Sequence, residues 1–368
     1  MRGRAADRAI REGRFLDGLA EWRKVTELAP SLPAGWYALG QAYNAVKQHA
    51  IASFERDADD AAWRQLLAAD ALASTGRLID AFTLYRESLA RLPAMVSAHD
   101  SIARIYEQTG HPDWAARERA ASALPSGECA ARQSLCEFRS GAYLSALTSA
   151  MDRADPESRY WRARAANELA LDAFRRLDAL PDSVERRAVR GARARAEERN
   201  ADAIAELQAA LKFTPGQPAL VHDLAATYYA ARDYEQVVAT LSPIVHAHPD
   251  DVRFLKLMGY ALLRLRRVDE AVPFLQRAVK NDSSDSGPQL ALGQAHLLGG
   301  DFAAAIPLIE AHLEDDQDGS IHVQLARAYA GLGQRDKAAP LLERSEQLQR
   351  AADERSAMAS RRAIAPPQ

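Results

Sequence analysis

Residues 255–275 read LKLMGYALLRLRRVDEAVPFL, and the order of large and small side chains in this stretch decides the architecture. Leu255, Gly259 and Leu262 stand four and three residues apart, and Ala271 and Leu275 follow at a spacing of four. Such spacings bring side chains onto one face of a helix, so the stretch is predicted to form two amphipathic helices joined by a short turn. The same order recurs from Arg187 at intervals of 34, 34, 34 and 33 residues, the mark of a repeat architecture. First halves carry Arg187 and Gly191, Val221 and Ala225, Leu255 and Gly259, Gln289 and Gly293, then His322 and Ala326. Ala194, Tyr228, Leu262, His296 and Tyr329 complete them. Second halves pair Ala203, Val237, Ala271, Ala305 and Ala338 with Leu207, Leu241, Leu275, Ile309 and Leu342. Small residues let paired helices approach closely, and the larger ones fill the space beside them.

Earlier in the chain Trp36, Leu39, Gly40 and Tyr43 fall at spacings of three, one and three, and Pro30, Pro93, Pro215 and Pro249 close helices that proline cannot continue. On these residues the chain resembles the tetratricopeptide repeat family. The resemblance implies an all-α fold, a right-handed superhelical solenoid of tandem antiparallel helix pairs. Units are expected at about 1–32, 33–61, 62–95, 96–126, 127–157, 158–183, 184–217, 218–251, 252–285, 286–318 and 319–350. They group into an N-terminal arm over 1–157 with an incomplete first unit, an irregular unit over 158–183 that could bend the solenoid, and a regular C-terminal arm over 184–350. Residues 351–368 are expected to be the end of a capping helix and a disordered tail, fraying from Ser360. The unit starting at Pro33 is short in its second half, and the one over 158–183 has no turn glycine.

Composition narrows function. A formal charge of -3 gives no basic surplus for nucleic acid or an anionic membrane. Arginines crowd residues 153–199, but aspartates and glutamates nearly balance them, as on an ion-paired helix surface. No apolar run reaches the roughly 18 residues of a spanning helix. The start, Met1-Arg2-Gly3-Arg4, lacks an apolar signal core, so the chain as written reads as cytoplasmic. If the incomplete first unit belongs to a longer protein, a missing signal peptide and a periplasmic setting become the alternative. Compartment is left open.

No nucleophile elbow, phosphate loop, dinucleotide loop or zinc-protease motif is present, and the repeats leave no stretch for a catalytic domain. No cofactor and no catalytic residue is expected. Glu314 to Gly319 superficially resembles a calcium loop, but its twelfth position is Leu325, so a solvated turn is expected and no metal. His246 and His248 read as helix-end residues. Cys129 and Cys136, seven apart on what reads as one helix, would lie roughly 10 Å apart, so buried free thiols are expected. The alternative puts Cys129 in a loop after Pro125.

In the family that the chain resembles, first helices line a concave groove. Carried over, the C-terminal arm presents His222, Asp223, Tyr229, Arg253, Lys256, Tyr260, Arg264, Gln294, Gln324 and Arg327. Its cations form a positive strip with few acids apart from Asp223, suited to acidic partner segments. The N-terminal arm presents Tyr37, Gln41, Asn44, Trp63, Asp70, Asp100 and Arg104. The lysine-asparagine clamp for acidic chaperone termini is missing, because Tyr260 follows Lys256 and Leu290 and Gln294 come next. The expectation is a protein interaction scaffold or adaptor of bacterial style that holds partner peptides and is no enzyme. The alternative is the substrate-recruiting or regulatory portion of a larger enzyme or envelope complex. The oligomeric state is open.

Overall fold

The computed structural model describes residues 2–54, 60–125, 127–360 and 363–367. Among the described residues the fold is all-α, a helical-repeat solenoid with twenty α-helices and no strand. The chain divides into two compact units, Met1–Val189 with Arg362–Gln368, and Arg190–Arg361.

The first unit holds α1 (Arg2–Arg11), α2 (Phe15–Leu28), α3 (Pro33–Phe54), α4 (Ala61–Ser74), α5 (Leu78–Arg91), α6 (Val96–Gln108), α7 (Pro112–Ala121), α8 (Gln133–Arg139), α9 (Tyr143–Met151) and α10 (Pro156–Asp178). The division falls inside α11 (Val184–Ala196). The second unit continues with α12 (Asn200–Phe213), α13 (Pro218–Ala230), α14 (Tyr234–Ala247), α15 (Val252–Arg264), α16 (Val268–Asn281), α17 (Ser286–Gly299), α18 (Phe302–Glu310), α19 (Ser320–Gly331) and α20 (Arg335–Ser360).

The second unit follows its sequence period. From α12 on, each helix packs on the next, and the first helices α13, α15, α17 and α19 also touch in succession. Close approach comes from the small residues: a Cβ on Gly191, Gly259 or Gly293 would stand 2.9, 2.6 or 2.8 Å from Leu207, Leu275 or Ile309. The turns inside the pairs share one left-handed residue, at Glu198, Arg232, Arg266, Gly300 and Gly333, with φ of 57°, 61°, 62°, 82° and 76°. Ala203, Val237, Ala271 and Ala305 are fully buried, with Leu207, Leu241, Leu275 and Ile309 beside them. The last pair slips by one residue. Leu342, expected in the core, is 46% exposed, while Leu341 packs against the cluster of Ile309 and Leu325.

The first unit departs from that plan. α3 is a single helix of 22 residues and α10 a single helix of 23. Far apart in sequence, they pack along one another, and α10 also touches α4, α8 and α9. A Cβ on Gly40 would overlap the ring of Phe174. Ala163, Ala165, Ala166, Ala170 and Ala173 bury almost completely, giving α10 a slim face that lets helix axes draw near. The short unit after Pro33 and the irregular unit over 158–183 are thus largely one helix each, and the two meet as a long-range pair.

Cys129 and Cys136 form a disulfide, which corrects the expectation of buried free thiols. Cys129 lies on an exposed 3₁₀ turn, Glu128–Ala130, outside α8, and the left-handed Gly127 (φ 96°) starts that turn. The Cα atoms therefore come within 5.7 Å instead of the separation a shared helix would impose. The stretch from Ser360, expected to fray, also has a partner: Ile364 packs against the core of the first unit.

Candidate peptide-binding faces

In the second unit the expected groove residues sit on α13, α15, α17 and α19, half-buried or exposed. Tyr229 and Tyr260 come together with ring centres 6.5 Å apart, and Arg264 Nε donates to the Tyr229 hydroxyl at 3.4 Å. Burial, with Asp285 and Tyr229 nearby, pushes the Tyr260 hydroxyl up to about 12, so it stays a hydrogen-bond donor. Gln294 is half-buried on α17, Gln324 on α19 has a buried Oε1 with no hydrogen-bond partner, and Arg327 is exposed.

The charge of this face differs from the sequence expectation. Arg253 turns to Asp251 at 2.7 Å, Lys256 holds Asp285 at 2.9 Å, and Arg195 holds Asp223 at 3.0 Å beside His222. Asp251 and Asp285 are the N-cap residues of α15 and α17, accepting from Arg253 N and Gly287 N. Lys256 and Arg253 hold these carboxyls below their usual range. For Asp223 burial pushes the other way, but His222 and Arg195 outweigh it and the carboxyl lies low. The strip of four cations is therefore half neutralised. Among the described residues Arg264 and Arg327 remain without a carboxylate within ion-pair distance. The missing acids were legible as N-cap aspartates one repeat apart, a signal of helix starts that also sets the charge of the groove.

In the first unit α10 lies across the face expected to be open. Trp63 meets Tyr160 with ring centres 5.5 Å apart. Asp70 is a hub: Tyr85 donates to it at 2.7 Å, Tyr160 at 2.9 Å, and Arg164 pairs with it at 2.7 Å. Asp70 is half-buried, and these three partners satisfy the lone pairs of a carboxylate drawn largely out of water. Burial pushes both tyrosine hydroxyls well up, which keeps them as donors. Asp100 pairs with Arg139 at 2.7 Å, and Arg104 donates to Ser101 at 2.9 Å. Two cavities of about 480 and 490 Å³ remain, both lined by Arg104 and Arg164. Sequence reasoning counts Arg164 among the arginines of a balanced surface and gives Tyr160 no role.

At the calcium-like turn Asp316 accepts from Gly319 N, His322 N and His322 Nδ1 at 2.9, 2.9 and 2.6 Å.

The profile of the tetratricopeptide repeat family matches residues 194–259, a stretch that holds the left-handed turns at Glu198 and Arg232 and ends at the close-packed Gly259. The chain carries tetratricopeptide repeats. It is 31% identical over 113 residues to anaphase-promoting complex subunit 7 of Arabidopsis thaliana, covering 30% of this chain; the match spans 19% of the length of that relative. Among solved structures, MamA 41-end from Desulfovibrio magneticus RS-1 is 17% identical, with 48% of this chain and 99% of that one covered and a TM-score of 0.44. YrrB, described as a TPR protein with an unusual peptide-binding site, is 19% identical, with 46% and 87% covered and a TM-score of 0.41. Tetratricopeptide repeats are an interaction fold.

Proposed function

We propose that this repeat scaffold binds an extended segment of a partner protein along α13, α15, α17 and α19. The observation that carries this is the contrast between the units. In the first, α10 packs over the corresponding face through Tyr160 and Arg164; in the second, Tyr229, Tyr260 and Arg264 form a half-open cluster that no helix of that unit covers. Two tyrosines supply apolar area and hydroxyl donors, and one guanidinium supplies a planar site for a single carboxylate. Because Arg253 and Lys256 already have aspartates, the preferred segment carries an aromatic or aliphatic residue beside one or two acids, not an acidic run.

The test is selection of displayed random peptides on the intact chain. Recovered peptides share an apolar residue near an acid, and Arg264→Glu with Arg327→Glu abolishes their binding while helicity stays unchanged. Binding weakens only a few-fold as salt rises, since few charges take part. Peptides that bind the double variant as well as the parent would refute the reading. Lys256→Glu is a poor test, because it sets like charges against Asp285 and disturbs a turn.

A further inference from the structure

Residues 363–367, Ala-Ile-Ala-Pro-Pro, group with the first unit and have no regular secondary structure. Two of the five turn inward. Ile364 and Pro367 are half-buried, while Ala363, Ala365 and Pro366 are exposed. A spacing of three is the period of the polyproline helix, the conformation that consecutive prolines favour with little entropy to lose.

The surface beneath is aromatic and polar in a matched way. Ile364 packs against the cluster that contains Phe82, Ile102, Ile105 and Tyr106. The Tyr106 hydroxyl donates to the carbonyl of Ala365 at 2.5 Å, and among the described residues no side chain of α4 to α10 hydrogen-bonds it. Tyr106 is fully buried, with Phe82 at 5.6 Å and the edge of Trp114 at 5.4 Å between ring centres. His111 stacks on Trp114 at 4.1 Å and fixes that ring. An apolar side chain and the next carbonyl are thus what this surface touches, and Pro367, three residues beyond Ile364, is half-buried. Burying a tyrosine whose hydroxyl is satisfied only by such a carbonyl makes sense where an extended segment is meant to lie.

We propose that the α6–α7 surface around Tyr106 is a binding site for extended proline-containing segments of the pattern apolar-x-x-Pro, held in cis by residues 363–367. A partner segment with the same pattern binds by displacing the resident one. The site belongs to the first unit and the proposed groove to the second, so each proposal can fail alone. Attachment in cis gives the resident segment an effective concentration that an external peptide must overcome, so the site is masked without being lost.

The probe is a fluorescein-labelled peptide of residues 360–368, titrated by anisotropy into the full chain. The parent binds it weakly. Ile364→Asp, which withdraws the resident segment, strengthens peptide binding about tenfold or more. Adding Tyr106→Phe, which keeps the ring and removes the hydroxyl, weakens it again by about fivefold. A peptide carrying aspartate at the position of Ile364 does not bind. Binding no stronger to Ile364→Asp than to the parent overturns the proposal, as does indifference to Tyr106→Phe. A parent chain that dimerises through this segment would overturn the occupancy in cis.

Discussion

Phe174 of α10 lies against Gly40 of α3 so closely that any side chain at residue 40 would overlap its ring. Gly40→Ala should therefore destabilise the first unit by about 1 to 3 kcal/mol, the usual cost of overpacking. All five tryptophans, Trp22, Trp36, Trp63, Trp114 and Trp161, lie in that unit, so tryptophan fluorescence during urea unfolding reports on it alone. Gly259→Ala, aimed at Leu275, should cost a similar amount and leave the tryptophan midpoint in place.

His99 Nδ1 meets the buried carboxylate of Glu118 at 2.6 Å, and this bond raises the imidazole above its ordinary value. A raised histidine contributes stability that is complete below the unfolded value, about 6.5, and is lost as pH climbs through the folded one. The tryptophan-reported midpoint should fall as pH goes from 6 to 9, and His99→Gln should flatten the slope. His99→Leu leaves Glu118 buried without its partner and should cost about 3 kcal/mol.

The Cys129–Cys136 bond closes a short loop ahead of α8. The unreduced protein should show no thiol to alkylating reagent by mass spectrometry and two after reduction in denaturant. Reduction or Cys129→Ser should lower stability by about 2 kcal/mol, the chain-entropy value for a loop of this size.

Arg266 holds a left-handed conformation that glycine occupies one repeat later, at Gly300. Arg266→Gly should stabilise the second unit by about 0.5 kcal/mol, relief of strain exceeding the added backbone entropy. Gly300→Ala should cost about 1 kcal/mol, since nothing crowds that position and the penalty is one of backbone alone. Loss of far-UV helicity without a tryptophan change measures both.

The repeat was legible wherever partners are neighbours. Gly259 and Leu275 announce each other because sixteen residues separate them in every unit, so the period itself reveals the contact. Gly40 carries the same signature, yet its contact in α10 is Phe174, and no periodicity links positions so far apart. Cys129 and Cys136 read as one helix from their spacing, but the left-handed Gly127 starts a separate turn that holds Cys129 ahead of α8. Groove positions were assigned by place in the unit, and that gave identities without partners. Lys256 looked like a free cation until Asp285, a cap residue of the next helix, was seen to reach it.

The pairing of α3 with α10 also imposes an order in time. Lys47 hydrogen-bonds Asn167 across 120 residues, so at synthesis rates of about 5 to 20 residues per second α3 emerges roughly ten seconds before its partner exists. During that interval α3, with its apolar stripe of Leu39, Tyr43 and Val46, has α1, α2 and α4 to pack against but lacks its main partner. The second unit, built from adjacent pairs, can close each helix as it appears. A ribosome making this chain therefore carries an unfinished first half that invites chaperones, and slowing translation before residue 156 should lengthen their stay.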